Sequence, residues 1–147
     1  MRYVCYISES KAVFDDNALE QLADTSSKNN QEYGVTGYLC FKNNKFFQYI
    51  EGDDRAITQL IKNIVEDPRH QVLYSLADEL EMRLFPDWNM KLLTDDVVNE
   101  KVLEDLIMQR MEVMSHSNWN KALSDRVITI VQTIAKIQKY NNLAIDT

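Results

Sequence analysis

Apolar and polar positions along the chain switch between the period of a strand and that of a helix. Arg2 to Ser8 has the two-residue period, with Val4 and Tyr6 on one side and Tyr3, Cys5 and Ile7 on the other. Past Asp15 and Asp16, either of which can cap a helix, Leu19, Leu22, Ala23 and Ser26 form one helical stripe. That stripe fades at Lys28-Asn29-Asn30, before Gly34. Val35–Lys42 and Lys45–Gly52 return to the strand period and meet through Asn43-Asn44, which predicts a hairpin. Asp53-Asp54 opens a second helix with the stripe Ile57, Leu60, Ile61 and Ile64, and Asp67-Pro68 stops it. Val72–Leu80 and Trp88–Leu93 are two more strands, bridged by a charged segment ending in Phe85-Pro86-Asp87.

The order β-α-β-β-α-β-β predicts an α+β, ferredoxin-like sheet with two helices on one face. Residues 1–94 would form this unit, and 95–147 a C-terminal extension of two helices, about Val97–Met114 and about Asn118–Tyr140. Leu123, Val127, Ile130, Ile134 and Ile137 alternate spacings of four and three, as docked core or as a short coiled-coil seam. Ile128, Val131 and Ala135 form a further apolar group on a flank. A single docking stripe needs only one of these groups. The expectation is a hairpin that covers the open face of the sheet and leaves the second group, Ile128, Val131 and Ala135, for a partner or a second copy; the alternative is that both groups are buried within one chain.

The 147 residues fit one domain, and 45% apolar with 27% charged content is ordinary for a soluble globular chain. A net charge of −7 disfavours nucleic acid and anionic membranes as partners, since both need clustered Lys and Arg. No apolar run approaches the ~18 residues of a membrane span, and the start turns polar by Ser8, unlike a signal peptide. Cys5 and Cys40 lie in strand patterns without a CxxC, which suggests buried free thiols in a reducing cytoplasm. His70 and His116 are too far apart in sequence for a metal motif. There is no GxSxG, P-loop or GxGxxG, and three glycines could hardly build a phosphate cradle. Glu51 and Asp53, beside Gly52, read as a turn or cap before they read as catalytic acids.

What remains is a set of amide, aromatic and cationic groups. Gln48 shares its strand face with Phe46 and Ile50, so its amide is expected inside, bonded either to backbone or to a ligand's polar edge. A slot between two helices, floored by the sheet, would receive Tyr6 and Gln48. Amides lining an apolar slot suit a flat ligand with donors and acceptors on its rim, such as a flavin. Each residue also has a plain structural reading. Tyr6, Trp88 and Met90 are ordinary core residues, the last two one residue apart on a strand face. Asn29-Asn30 can end a helix, and Arg69-His70 can be a solvated turn.

Six stretches taken together resemble the BLUF family of blue-light sensors that use flavin adenine dinucleotide. They are Tyr6-Ile7-Ser8, Ser26–Asn30, Gly34-Val35-Thr36-Gly37, Phe46–Gly52, Asp67-Pro68-Arg69-His70 and Phe85–Met90, in the family's order over about residues 1 to 93. The resemblance implies a noncovalently bound FAD and a role for each residue. Tyr6 would donate an electron and proton to the excited flavin, and Gln48 would sit between Tyr6 and the flavin N5 and O4. Asn30, assisted by Asn29, would bond the O4/N3 edge. Arg69 would lie near O2, His70 would pack over the ring system, and Met90 would also touch the cofactor. Trp88 and Met90 match the strand residues proposed to pass the signal outward, and the resemblance leaves open which of the two faces the flavin. The family's position before Tyr6 is commonly aliphatic, where this chain has Cys5. No cyclase or phosphodiesterase fits after Thr94. The expected chain is therefore a short receptor and not an enzyme, acting through an unidentified protein partner or a change of homo-oligomer. A small flavoenzyme and a module that no longer holds flavin are the alternatives.

Overall fold

The computed structural model describes residues 1–42, 44–92, 125, 128–129 and 131–136. Its elements are β1 (Arg2–Ser10), α1 (Asp16–Glu32), β2 (Thr36–Lys42), β3 (Lys45–Gly52), α2 (Asp54–Glu66), β4 (His70–Glu79) and β5 (Asn89–Leu92). The strands form one sheet in the order β4-β1-β3-β2-β5. The first three neighbouring pairs are antiparallel, while β5 joins the β2 edge in parallel. This is the expected ferredoxin-like arrangement with one added edge strand.

Both helices begin where a carboxylate can accept an orphan backbone N–H. Asp15 Oδ1 accepts from Ala18 at 2.7 Å, and Asp53 Oδ2 accepts from Arg55 at 3.3 Å. Their apolar stripes cover one face of the sheet. Leu19 and Leu22 of α1 and Ile57, Leu60, Ile61 and Ile64 of α2 pack on Val4, Leu39, Phe46 and Ile50. Ile57 is fully buried, a gain of about 2 kcal/mol relative to exposure. Glycine is obligatory at Gly37, where φ is +150° and a Cβ would stand 1.9 Å from the Tyr49 carbonyl oxygen. Only a bare backbone lets β2 lie this close to β3.

The opposite face carries Tyr3, Cys5, Ile7, Tyr38, Cys40, Phe47, Tyr49 and Phe85. Residues 131–136 are helical, and Val131, Ile134 and Ala135 are buried in that cluster, with Ile128 packed beside them. Residues 128, 131, 134 and 135 thus form one stripe at helical spacing. This corrects the expectation that Ile128, Val131 and Ala135 were a separate, partner-facing group. The proposed helix Val97–Met114 and the seam positions Leu123, Val127, Ile130 and Ile137 lie outside the described residues.

Three further expectations change. Helix α1 does not fade at Asn29-Asn30 but runs to Glu32, where Gly34 at φ +66° supplies the left-handed turn that ends it. The first strand continues two residues past Ser8, to Ser10. Trp88 and Met90 do not share a face. Met90 joins the helix-side cluster, whereas Trp88 precedes β5 and packs with Phe85 and Tyr38 on the other side. The cause is a bulge: Gly37 pairs with Asn89 and Tyr38 with Lys91, so Met90 is skipped and takes φ +91°.

Cys5 and Cys40 are free and buried, as expected. Among the described residues no helix is long and apolar enough to cross a membrane, and no cluster of three His, Cys, Asp or Glu is arranged to hold a metal.

Val131 is only 1% exposed against the aromatic face of the sheet. Val131→Glu should therefore lower stability by about 3 kcal/mol or more, the cost of an unpaired buried charge. Thermal melting will show an early transition with an unchanged association state by size exclusion. Lys136→Glu, at an exposed position one turn on, should melt like the native chain.

Candidate functional site

The pairing of β1 with β3 sets Tyr6 directly opposite Gln48, and the β2–β3 pairing sets Leu39 on the other side of Gln48. Strand alternation then turns both polar side chains toward α1 and α2. The Tyr6 hydroxyl donates to Gln48 Oε1. Gln48 Nε2 donates to the Met90 sulfur at 2.9 Å. A thioether is a weak acceptor, so the amide is held firmly by its oxygen and lightly by its nitrogen. Gln48 is 6% exposed, and what exposure it has opens into a slot between the two helices.

The slot has a volume of about 790 Å³, in the range of cofactor sites. Tyr6, Gln48 and Asn30 are its buried polar groups; Phe14, Leu22, Val35, Leu39, Phe46, Leu60 and Ile64 supply apolar wall. Asn30 is 3% exposed, and among the described residues its side-chain amide has no hydrogen-bond partner. Its backbone carbonyl accepts from Tyr33 and Val35. An amide buried this deeply without a protein partner calls for one from a ligand or water.

His70 closes the slot near Tyr6, ring centroids 6.0 Å apart and edge on. Its Nε2 lies 2.7 Å from the Ile64 carbonyl, which can only accept, so Nε2 carries the proton. Nδ1 lies 2.8 Å from the Ser8 hydroxyl oxygen and hydrogen-bonds with it. This pins the ring between β1 and the end of α2. At the mouth, Arg69 forks onto Asp67, Nε at 3.0 Å from Oδ1 and Nη2 at 2.6 Å from Oδ2. The bonds from Arg69 hold the Asp67 carboxyl below its ordinary pKa of 3.8.

A family model described as BLUF, sensors of blue-light using FAD, matches residues 1–91. The chain belongs to the BLUF family. The beta subunit of the photoactivated adenylate cyclase of Euglena longa is 35% identical over 124 residues, 82% of this chain and 14% of that subunit. The blue light- and temperature-regulated antirepressor BluF of Escherichia coli (strain K12) is 27% identical over 116 residues, 78% of this chain and 28% of that protein. The chain thus spans only a small part of these curated relatives. The dark-state structure of BlrB, a BLUF protein, superposes with a TM-score of 0.68 at 26% identity, covering 92% of this chain and 95% of that one.

The residues of this BLUF slot fit the family's cofactor. A flavin ring presents alternating carbonyl, nitrogen and N–H groups on its rim and apolar faces above and below. Neutral amides at Gln48 and Asn30 match the rim, and the aliphatic and aromatic walls match the faces.

Of the residues singled out in the sequence, Tyr6, Asn29, Asn30, Gln48, Arg69 and His70 all line the slot. Asn29 and Arg69 are exposed at its rim. Met90 does not line it; it backs Gln48 from behind. Trp88 lies on the opposite face. Sequence reasoning missed Arg55, Gln59 and Asn63 of α2, which line the far wall. Gln59 Nε2 donates to Asn63 Oδ1 at 3.1 Å. Their spacing of four residues, on the flank of the Ile57–Ile64 stripe, was a legible signal for a polar wall.

Burial raises several acids well above their ordinary values. The thiols of Cys5 and Cys40 rise from 9.0 to about 12, and the phenols of Tyr6, Tyr38 and Tyr49 rise from 10.0. These groups stay neutral when folded and ionise at their ordinary values when unfolded. Their contribution is therefore intact below pH 9.0 and is lost as pH rises past 9.0 for the thiols and 10.0 for the phenols. Each group should steepen the loss by about 1.4 kcal/mol per pH unit. Denaturant melts at pH 8, 9.5 and 11 will show stability nearly level at first and falling sharply by the last. Tyr6→Phe should make that fall shallower.

Proposed function

We propose that this chain is a blue-light receptor that holds FAD noncovalently in the slot and switches through Tyr6 and Gln48. The carrying observation is the Gln48 amide, bonded by Tyr6 at one end and only by the Met90 sulfur at the other. Bound FAD supplies absorption in the blue and, when excited, a one-electron oxidant. Every other part of the switch belongs to protein residues.

Tyr6 is an oxidisable donor buried in the slot wall with a proton acceptor in place. Burial disfavours its phenolate, so an electron lost from the ring takes the hydroxyl proton with it. That proton leaves along the hydrogen bond to Gln48 Oε1. Electron and proton return, no bond forms between protein and cofactor, and Gln48 is left either rotated or tautomerised, in the second case with a proton moved from Nε2 to Oε1. The weak hold of Met90 makes this reorientation inexpensive, and the reoriented amide offers the ring edge a different hydrogen bond. Such a local, bistable element is what a switch requires. Asn30 and Asn29 would hold the ring edge, His70 would pack against the ring, and Arg69 would meet it from the mouth of the slot. Met90 and Trp88, flanking the bulge at the start of β5, carry the change outward through their two faces of the sheet.

In this reading residues 1–94 are the sensor and 95–147 the output extension. The receptor acts in the cytoplasm, without catalysis of its own, through a protein partner or a change in self-association. The relatives' names couple light to a cyclase or an antirepressor, which supports an output to another protein module.

The purified protein should be yellow and should show a reversible red shift of its flavin spectrum under blue light. Flavin loading without a reversible shift would sink the reading. Tyr6→Phe and Gln48→Leu should each keep FAD and lose the shift. Asn30→Ala should bind FAD about fivefold more weakly, the effect of one neutral buried hydrogen bond, with the shift retained. Equilibrium dialysis measures the last effect and absorption spectra the others.

A further inference from the structure

Glu51 is fully buried three residues after Gln48 on β3, facing the sheet side away from the slot. Its carboxyl oxygens accept four hydrogen bonds. Oε1 takes the Thr36 hydroxyl at 2.9 Å and the Phe85 N–H at 2.7 Å; Oε2 takes the Tyr49 hydroxyl at 2.9 Å and the Leu84 N–H at 2.8 Å. Two of those donors are backbone groups of the segment that joins β4 to β5. Arg83 ties the same segment down again, with Nη1 on Thr36 Oγ1 at 2.9 Å and Nη2 on the Gly34 carbonyl at 2.6 Å.

This clamp sits at one end of a short path. Phe85 stacks on Trp88 at 5.1 Å, and the Trp88 carbonyl accepts from Gly37 at 2.7 Å. Two residues later Met90 sits in the bulge with its sulfur on Gln48. Strand β5 has four residues and pairs only with β2 among the described strands, so its own ladder is a weak determinant of position. Strand β3 therefore grips β5 at two points, Gln48 directly on one face and Glu51 through Phe85 on the other.

We infer that Glu51 is a positioning residue of the switch: by anchoring Leu84 and Phe85 it sets where Met90 meets Gln48. The inference rests on the switching reading of Tyr6 and Gln48 given above. Its substitution acts on the light response through Met90 and without touching the slot. In Glu51→Gln one oxygen becomes an NH₂ group, which cannot accept. The Thr36 and Tyr49 hydroxyls can rotate to accommodate it, but one backbone N–H of Leu84 or Phe85 loses its partner. Met90 is then held less firmly, and the reoriented amide relaxes sooner.

The test is a double-mutant cycle on the full FAD-loaded chain, with Glu51→Gln in the native and Met90→Leu backgrounds. Thermal return after blue light should be about fivefold faster in Glu51→Gln, the effect of one buried hydrogen bond. In the Met90→Leu background Glu51→Gln should change the return rate little. Methyl spectra of ¹³C-methionine protein in the dark should show the Met90 signal, assigned by its loss in Met90→Leu, displaced in Glu51→Gln. Val131→Ala, which trims the same sheet face away from the clamp, should leave that signal in place. If Glu51→Gln does not fold, Arg83→Met loosens the same segment from its exposed side and should displace the signal in the same direction. An equal effect of Glu51→Gln in both backgrounds, or an unmoved Met90 signal, overturns the inference. A native protein with no reversible red shift would instead defeat the switching reading, while the dark methyl spectra would still decide whether Glu51 places Met90.

Discussion

The register between β1 and β3 is the constraint on which the rest of the structure depends. It places Tyr6 opposite Gln48, Cys5 opposite Tyr49 and Ser8 opposite Phe46. A slip by one residue would turn every side chain of one strand to the other face. Tyr6 would then point into the aromatic cluster under residues 131–136 and no phenol would meet Gln48. The register is well determined because both faces are buried and differ in kind. The helix side takes aliphatic residues of α1 and α2, and the far side takes large aromatic rings, Tyr3, Tyr38, Tyr49 and Phe85. Gly37 fixes the neighbouring β2–β3 pairing by admitting the Tyr49 carbonyl where any Cβ would collide.

The two buried polar groups of β3 illustrate opposite uses of satisfaction. Glu51 has all its bonds filled by strong donors, and a group so held resists movement. Gln48, three residues earlier, keeps a thioether as the acceptor for its amide nitrogen. The fully satisfied residue fastens the frame, and the lightly satisfied one is free to turn within it. The proposed switch uses both, because reorientation of one amide carries a signal only if the surroundings do not simply relax around it.

Much of this was legible in the sequence. The alternating and helical periods placed every strand and both helices of the first 92 residues, and capping aspartates and Asp67-Pro68 marked helix ends to within a residue or two. The family motifs singled out Tyr6, Asn29, Asn30, Gln48, Arg69 and His70, and all of them line one slot. Local pattern misled where long-range contacts prevailed. Asn29-Asn30 have the composition of a helix end, yet α1 continues through them because Asn30 lies in line with Leu22 and Ser26 on the slot-facing side. Val131 and Ala135 looked surplus because the stripe they share with Ile128 and Ile134 is recognised only against the sheet it covers.

The sequence by itself determined the order of elements, the face each residue of β1 and β3 occupies and the chemistry available to the slot, since these follow from local period and side-chain type. Tertiary structure alone decided how Trp88 and Met90 part company, because a bulge set by pairing with Gly37 and Tyr38 breaks the strand period between them. It alone decided the task of Glu51 as well. Beside Gly52 that carboxylate reads as a turn or cap. Three of its four donors arrive from Thr36, Leu84 and Phe85, 15 to 34 residues away, and separations of that size leave no periodic trace along a chain.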